Sequence, residues 1–213
     1  MQVLGIVCSP RKGGNTEILV QESLSSAKEH GATTELLTVW DKDVKPCDGC
    51  YSCEKTGDCH IKDDMQEIYP KILDANGIIW GTPVYFYDVT AQAKILIDRS
   101  LALYIKGGLT NKVGGVISVA GSLGNLAVWN LFSAFFSVNH MLSTDFVAGY
   151  ATRKGDIRKD KHAMKAAREL GRQLVLLLEQ QFRYPEQYDV TIPRYVEREY
   201  GIGRSPAMGR FDG

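Results

Sequence analysis

Two kinds of segment alternate along the chain. Short apolar runs of strand length are followed by longer segments in which apolar residues recur every three or four positions. This pattern predicts strands at 2–7, 33–39, 77–80, 113–120 and 146–151, and helices at 16–30, 63–75, 90–103, 126–141 and 160–181. Strands that alternate with helices form right-handed βαβ units around a parallel sheet. We therefore expect an α/β fold whose five parallel strands have the doubly wound order 2-1-3-4-5, with helices on both faces.

The regular pattern ends near residue 182. Residues 183–213 contain scattered Pro and Gly residues, many aromatics and no clear period. A chain of 213 residues suits one α/β domain with an appended segment. We expect one domain at 1–182 and a C-terminal extension at 183–213.

The charges balance, with 25 Lys and Arg residues against 25 Asp and Glu residues. A neutral chain has no global basic field, which argues against nucleic acid or an anionic membrane as partner. No run approaches the roughly 20 apolar residues of a spanning helix, and the first residues lack the charged start of a signal peptide. We expect a cytoplasmic protein, whose cysteines would serve as metal ligands or catalytic groups rather than form disulfides.

The loop at 9–16, S-P-R-K-G-G-N-T, joins the first predicted strand to the first predicted helix. Backbone N–H groups at a helix N-terminus attract anions, and Gly13 and Gly14 allow a phosphate to approach closely. The loop is neither a Walker A loop nor G-x-G-x-x-G, and a tight turn with capping residues is the alternative. The side chains that could bind a phosphate are Ser9, Arg11, Asn15 and Thr16.

Three further loops follow predicted strands, at 47–59, 82–87 and 121–125. The carboxyl ends of parallel strands meet at one edge of a doubly wound sheet, where ligands bind. We therefore expect these loops to converge with the loop at 9–16.

The loop at 9–16, the segment G-T-P-V-Y-F at 81–86 and the helix carrying A-Q-A-K and I-D-R at 91–99 resemble the NADPH-dependent FMN reductase branch of flavodoxin-like proteins. The resemblance extends through the fifth predicted strand, and it implies a flavodoxin-like fold that binds FMN. In that family the P-V-Y segment lies against the isoalloxazine ring. For Tyr85 and Phe86, ordinary core packing is the alternative. The resemblance implies that Pro83, Val84, Tyr85 and Phe86 contact the ring, and that Gly121 and Ser122 complete the pocket.

Four cysteines form the pattern C-x2-C-x2-C-x5-C within residues 47–59: Cys47, Cys50, Cys53 and Cys59. A C-x2-C-x2-C run offers three ligands of a [4Fe–4S] cluster from one short loop, and a fourth thiolate lies nearby. Zinc, a redox disulfide and unliganded thiols are the alternatives, and His60 is a further candidate ligand. The fifth cysteine, Cys8, ends the first strand and is expected to be a small buried residue.

The cysteine run together with the FMN-reductase-like segments resembles the iron–sulfur flavoproteins. The resemblance implies one [4Fe–4S] cluster and one FMN per subunit in a homodimer or homotetramer, with the cluster near the flavin of an adjacent subunit. It also implies electron transfer from ferredoxin or a similar donor to a small acceptor. No protein nucleophile or acid–base pair is required, and the four histidines show no triad-like pattern.

The sequence is also compatible with two other functions. One is an NAD(P)H-dependent FMN or quinone reductase without a cluster, for which NAD(P)H would be the donor. The other is a non-enzymatic, flavodoxin-like electron carrier, although such a carrier is usually strongly acidic and this chain is neutral.

Overall fold

The structure, a computed structural model, describes residues 1–188, 190 and 192–203. Its centre is a five-stranded sheet in which every neighbouring pair is parallel and the order is β2-β1-β3-β4-β5. The fold class and strand order predicted from the sequence are confirmed. The strands are β1 (Gln2–Val7), β2 (Thr33–Thr38), β3 (Gly77–Pro83), β4 (Val113–Ala120) and β5 (Leu142–Tyr150).

Helices cover both faces of this sheet. Short 3-10 segments at Asp156–Lys159 and Glu186–Tyr188 accompany them. Among the described residues, none of the helices combines the length and apolarity needed to cross a bilayer. The helices are α1 (Asn15–Glu29), α2 (Ser52–Thr56), α3 (Met65–Asp74), α4 (Ala91–Arg99), α5 (Leu101–Ile105), α6 (Asn125–Val138), α7 (Lys161–Glu179) and α8 (Ile192–Tyr200).

Two apolar layers hold the helices on the sheet. Every residue of β4 is buried, as expected for a central strand covered on both faces. On one face, Leu19 of α1 and Leu174 of α7 pack with Ile79 and Ile117 of the sheet. On the other face, Trp80 packs among aromatic rings of α6, with its ring centroid 5.5 Å from that of Phe132 and 5.8 Å from that of Phe135.

The sequence predicted one continuous helix at 90–103. This prediction is wrong, because the structure divides the segment into α4 and α5 at Ser100. The Ser100 hydroxyl donates a 2.7 Å hydrogen bond to the carbonyl of Leu96. A serine that bonds back to the preceding turn competes with regular helix geometry. The break gives Arg99 a position at the end of α4, where its side chain is fully buried.

Two strands are longer than predicted. β5 begins at Leu142 rather than at residue 146, and it lies at the sheet edge, where exposed Ser143 and Asp145 interrupt the apolar run. β3 continues to Pro83, beyond the predicted end at residue 80. Pro83 is tolerated at the end of β3 because the pairing with β4 continues at the next residue, where the N–H of Val84 donates to the carbonyl of Val119.

Two helices were not predicted. The short helix α2 lies inside the cysteine loop, and α8 lies in the segment that showed no period. The predicted extension at 183–213 includes residues 189, 191 and 204–213, which lie outside the described residues. The extension's first part contacts the domain, since the Tyr184 ring stacks on His140 at 4.5 Å and its N–H donates to Asn111 Oδ1 at 2.7 Å.

Candidate flavin and cysteine site

Backbone hydrogen bonds join the loops at the carboxyl edge of the sheet. The N–H of Cys8 donates to the carbonyl of Gly81 at 2.7 Å, and the N–H of Val84 donates to that of Val119 at 2.8 Å. The N–H of Ala151 donates to the carbonyl of Ala120 at 3.0 Å. The segments that follow β1, β3, β4 and β5 therefore leave the sheet side by side, as the parallel topology requires.

The phosphate loop at 9–16 is compact. Ser9 and Thr16 are buried, and Ser9 Oγ accepts the N–H of Arg11 at 3.2 Å. Gly13 has φ +62°, and its N–H donates to the Glu17 carboxylate at 2.7 Å, which ties the loop to the first turn of α1.

The first N–H groups of α1, at Asn15 and Thr16, have no acceptor within the described part of the chain. Free N–H groups at a helix N-terminus suit a phosphate. The loop therefore fits the phosphate of FMN.

The side chain of Asn15 forms hydrogen bonds within the protein. Its Nδ2 donates to the carbonyl of Arg153 at 2.9 Å, and its Oδ1 accepts the N–H of Gly155 at 2.8 Å. Asn15 thus holds the segment after β5 against the start of α1. Its expected contact with a phosphate stays a prediction, and the structure gives its side chain a second role that the sequence did not indicate.

The predicted ring-binding segment forms a tight turn after β3. Tyr85 and Asp88 exchange backbone hydrogen bonds of 2.9 and 3.1 Å, and the two residues between them have left-handed backbones, with φ +47° at Phe86 and +68° at Tyr87. Phe86 is 98% exposed and Tyr85 is 42% exposed, so the core-packing alternative is wrong for both residues. Pro83 and Val84 precede the turn and are partly buried.

Two threonines anchor this turn, and neither was singled out from the sequence. The Thr90 hydroxyl donates to the carbonyl of Cys8 at 2.7 Å and accepts the N–H of Ala93 at 3.2 Å, which caps α4. The N–H of Thr90 donates to Thr82 Oγ1 at 3.2 Å. The segment between β3 and α4 is therefore fixed at both ends and tied to β1.

The loop after β4 approaches the same turn. Gly121 and Ser122 are exposed at the end of β4. Gly124, which the sequence did not mark, has φ +105°, and a Cβ on it would lie 2.7 Å from Val84 Cγ1 and 3.0 Å from Tyr87 Cα. Only a residue without a side chain lets these two loops pack at this distance.

An unsatisfied polar atom lies beside this loop at the start of α6. Asn125 is 6% exposed, and Ser118 donates to its Oδ1 at 2.6 Å, whereas its Nδ2 has no acceptor within the described chain. A buried donor without an acceptor costs roughly 1–3 kcal/mol. A polar cofactor edge at this place would relieve that cost, which agrees with a flavin site.

All four cysteines of the 47–59 loop line one cleft of about 590 Å³. Cys53 is buried, Cys59 is half-buried, and Cys47 and Cys50 are exposed. The opposite wall is largely apolar and is formed by Ile97, Leu101, Tyr104, Phe135 and Val138. Each of these thiols is free, and so is that of Cys8, which is fully buried as predicted.

The backbone of the cysteine loop curls around the cleft. Gly49, Tyr51 and Gly57 have left-handed backbones, with φ of +71°, +55° and +75°. Burial raises the pKa of the Cys53 thiol, and the nearby thiols of Cys59, Cys47 and Cys50 raise it further. A metal bound in the cleft would favour the thiolate forms, because the thiolate is the form of cysteine that binds metals.

A buried ion pair closes the base of this loop. Arg99 binds Asp63 through two hydrogen bonds, Nη1–Oδ2 at 2.7 Å and Nη2–Oδ1 at 3.1 Å. The same guanidinium donates to the carbonyl of Lys45 at 2.8 Å and to that of Ile61 at 3.3 Å. Burial opposes ionisation of Asp63, but the hydrogen bonds from Arg99 and two backbone N–H groups outweigh it and lower the carboxyl pKa. One side chain of α4 thus joins both ends of the segment that carries the cysteines.

A tyrosine touches the same region. The Tyr69 hydroxyl donates to the carbonyl of Arg99 at 2.9 Å. Burial raises its pKa, and the neighbouring Cys59 thiol adds to the shift. Tyr69 therefore joins α3 to the end of α4 beside the cysteine loop.

An alternative ligand set exists at the exposed end of the loop. One ligand atom from each of Asp48, Cys50 and His60 lies within 4.8 Å of the others, and His60 Nε2 is 2.8 Å from Asp48 Oδ2. Such a mixed N, O and S set suits zinc. The all-cysteine set and this set share Cys50, so a metal held by one set would take this ligand from the other.

Comparison with known proteins adds independent findings. The sequence model of the family described as NADPH-dependent FMN reductase matches residues 1–153. An iron–sulfur flavoprotein of Methanocaldococcus jannaschii is 40% identical over 184 residues, which cover 82% of this chain and 95% of that protein.

Two solved structures share the fold. The Trp repressor binding protein from Bacillus subtilis is 26% identical, with a TM-score of 0.62 over 80% of this chain and 99% of its own. A flavodoxin from the domain Archaea is 12% identical, with a TM-score of 0.57 over 84% of this chain and 99% of its own.

The fold is flavodoxin-like, and the family match makes the protein an FMN protein. The chain belongs to the NADPH-dependent FMN reductase family and, within it, to the iron–sulfur flavoproteins. It is therefore an FMN-dependent oxidoreductase, and the alternative of a non-enzymatic carrier is set aside.

Proposed function

We propose that this protein is an electron-transfer oxidoreductase that couples ferredoxin or a similar donor to a small acceptor. In this proposal Cys47, Cys50, Cys53 and Cys59 hold a [4Fe–4S] cluster, and the loops at 9–16, 83–87 and 121–124 hold FMN. The cluster exchanges single electrons, whereas FMN exchanges electrons singly or in pairs, so together they connect one-electron and two-electron partners.

The observation that carries the proposal is the single cleft lined by all four cysteines. The compact C-x2-C-x2-C-x5-C spacing favours a cubane cluster over zinc, whose structural sites usually pair two distant ligand groups. Part of the cleft wall is apolar, formed by Phe135 and Val138 among others, and an apolar shell around a cluster tunes its potential.

The chain's own residues have binding and orienting roles at the flavin. Ser9, Arg11 and Thr16 would bind the phosphate together with the first N–H groups of α1. The turn around Tyr85 and Phe86 would contact the ring. Because Phe86 is almost fully exposed, it is also available to a substrate or to a neighbouring subunit.

A second candidate function is an NAD(P)H-dependent FMN or quinone reductase that works without a cluster. The match to the NADPH-dependent FMN reductase family favours this candidate. Its donor would be NAD(P)H alone, and the cysteine cleft would then hold zinc or no metal.

The test is an ultraviolet–visible spectrum of anaerobically purified protein, with iron, sulfide, zinc and flavin assayed on the same sample. We expect flavin bands on a broad shoulder that dithionite bleaches, with about four irons per chain. Flavin bands without iron or sulfide would contradict the cluster and favour the second candidate.

Two variants locate the metal. Cys53→Ala should abolish the iron content, because it removes the buried ligand of the set, and the flavin content should remain. Cys8→Ala is the matched control, since Cys8 is a buried cysteine outside the cleft. Equal iron in both variants would exclude the four-cysteine site.

A further inference from the structure

A lysine from the segment after β5 lies over the loop at 9–16. This residue is Lys154, and its Cε and Nζ atoms are both 3.4 Å from the position that a Cβ on Gly13 would occupy. Gly13 has a left-handed backbone and no side chain, so the ammonium approaches the loop backbone directly.

Asn15 holds this lysine in place. Its side-chain amide bonds the carbonyl of Arg153 at 2.9 Å and the N–H of Gly155 at 2.8 Å, which are the residues on either side of Lys154. Gly155 has φ +86°, which turns the segment back toward the loop. One side chain at the start of α1 therefore fixes the backbone that presents Lys154.

The charges around the loop leave Lys154 available. Its ammonium pairs with no carboxylate in the part of the chain that the structure describes. Lys12 lies over the Trp40 ring at 4.8 Å and so has a partner already. The Glu17 carboxylate, bound to the Gly13 N–H, places a negative charge beside the site where a phosphate would lie. A nearby ammonium is needed to offset that charge.

We propose that Lys154 is a phosphate-binding residue for FMN and that Asn15 acts as its positioning residue. This inference rests on the proposed placement of the FMN phosphate at the loop of residues 9–16. It assigns the second cation of the phosphate site to the segment after β5, beside Arg11 from the loop itself.

The experiment is a fluorescence titration of the full-length protein, freed of flavin, with FMN and separately with riboflavin, which lacks the phosphate. Lys154→Met should raise the Kd for FMN about tenfold, because a charge-assisted contact to the phosphate is lost. The Kd for riboflavin should stay unchanged. The FMN affinity of the variant should also depend less on salt. Lys165→Met is the matched control, an exposed lysine on α7 that should leave both Kd values unchanged.

Arg11→Met separates the two ways in which the inference could fail. If Arg11→Met weakens FMN binding and Lys154→Met does not, the phosphate lies at the loop but Lys154 does not bind it. If neither variant changes the Kd for FMN, the proposed placement of the phosphate is itself wrong.

A double-mutant cycle tests the role of Asn15. Asn15→Ala should raise the Kd for FMN by an amount similar to Lys154→Met, and the double variant should be no weaker than the weaker single variant. Losses that multiply in the double variant would show that Asn15 binds the phosphate directly and would overturn its positioning role.

Discussion

At the scale of single residues, the backbone conformation of the flavin loops is unusual. Phe86 and Tyr87 hold left-handed conformations, which cost of order 1–3 kcal/mol each for residues that carry a Cβ. Such strain persists only where the surroundings fix it, and Gly124 supplies one of those contacts. The aromatic turn therefore keeps its shape because the neighbouring loop has a glycine at that point.

Gly124→Ala should displace the aromatic turn. Its Cβ would lie 2.7 Å from Val84 Cγ1 and 3.0 Å from Tyr87 Cα, so the turn must shift away. We expect the Kd for FMN to rise about tenfold, as measured by flavin fluorescence, because contacts to the ring depend on that turn.

Gly31→Ala controls for backbone strain. Gly31 also has a left-handed backbone, with φ +93°, but nothing lies within 4 Å of its added Cβ. Both variants should lose of order 1 kcal/mol of stability from the conformation alone. Equal FMN affinity in the two variants would contradict the steric role of Gly124.

At the scale of elements, the cysteine loop depends on α4. The loop has only the short helix α2 as regular structure, and its ends are joined by the guanidinium of Arg99. The break at Ser100 ends α4 where this side chain can turn inward to Asp63. The division of the helix thus contributes directly to the cysteine site.

Arg99→Met should open the cysteine loop. Removing one partner of a buried ion pair leaves Asp63 uncompensated, which costs roughly 3–5 kcal/mol of unfolding free energy. We expect urea denaturation to show this loss, and the iron content to fall while FMN remains bound. The control is Arg168→Met, whose partly exposed ion pairs with Glu22 and Glu29 should contribute much less stability than the buried pair.

The stability of the protein at acidic pH provides a second test of the Arg99–Asp63 pair. The pKa of Asp63 is lowered in the folded state, so its stabilisation is complete above the unfolded carboxyl pKa of about 3.9. It declines as the pH falls through the lowered folded-state pKa. In Arg99→Met this part of the acid dependence should disappear, and an unchanged acid profile would mean that the pair does not stabilise the fold.

At the scale of the whole molecule, large apolar side chains are exposed around the flavin edge. Phe86 is 98% exposed, Leu123 68% and Leu126 61%. Exposed apolar groups of this size commonly mark a surface that another protein covers. We propose from them that the protein forms the homodimer or homotetramer that the resemblance to iron–sulfur flavoproteins implies.

The double variant Leu123→Glu/Leu126→Glu should dissociate the assembly. Light scattering of the unaltered protein should give two or four times the chain mass, and the charged variant should give the mass of one chain. Leu176→Glu, at a partly exposed leucine on α7, is the control and should keep the assembly intact. A monomeric unaltered protein would exclude the proposal.

The fold could be predicted because its signals are local. The five strands and the five predicted helical segments each show a local apolar pattern, and the βαβ rule then fixes a parallel sheet with its ligand loops at one edge. Local signals also marked the loop at 9–16 and the cysteine run as candidate sites, and their roles stay predictions.

The pairings that shape the site could not be predicted, because they join residues far apart in sequence. Arg99 meets Asp63, and Asn15 meets Arg153 and Gly155, through contacts that exist only after the sheet forms. The early start of β5 was missed because an edge strand with exposed polar residues lacks a continuous apolar run. The exposure of Phe86 could not be predicted either. A short loop has no periodic pattern that would show whether an aromatic side chain faces the core or the solvent.

The hydrogen bonds of Arg99 also bear on the order of folding and metal binding. They join a guanidinium to a carboxylate and two backbone carbonyls, so they need no metal to form. The entropy of closing the loop is therefore lost during folding, before any metal arrives. If the proposed cluster is lost, the chain would keep its thiols on a folded scaffold. Repair would then refill a formed cleft without refolding the chain.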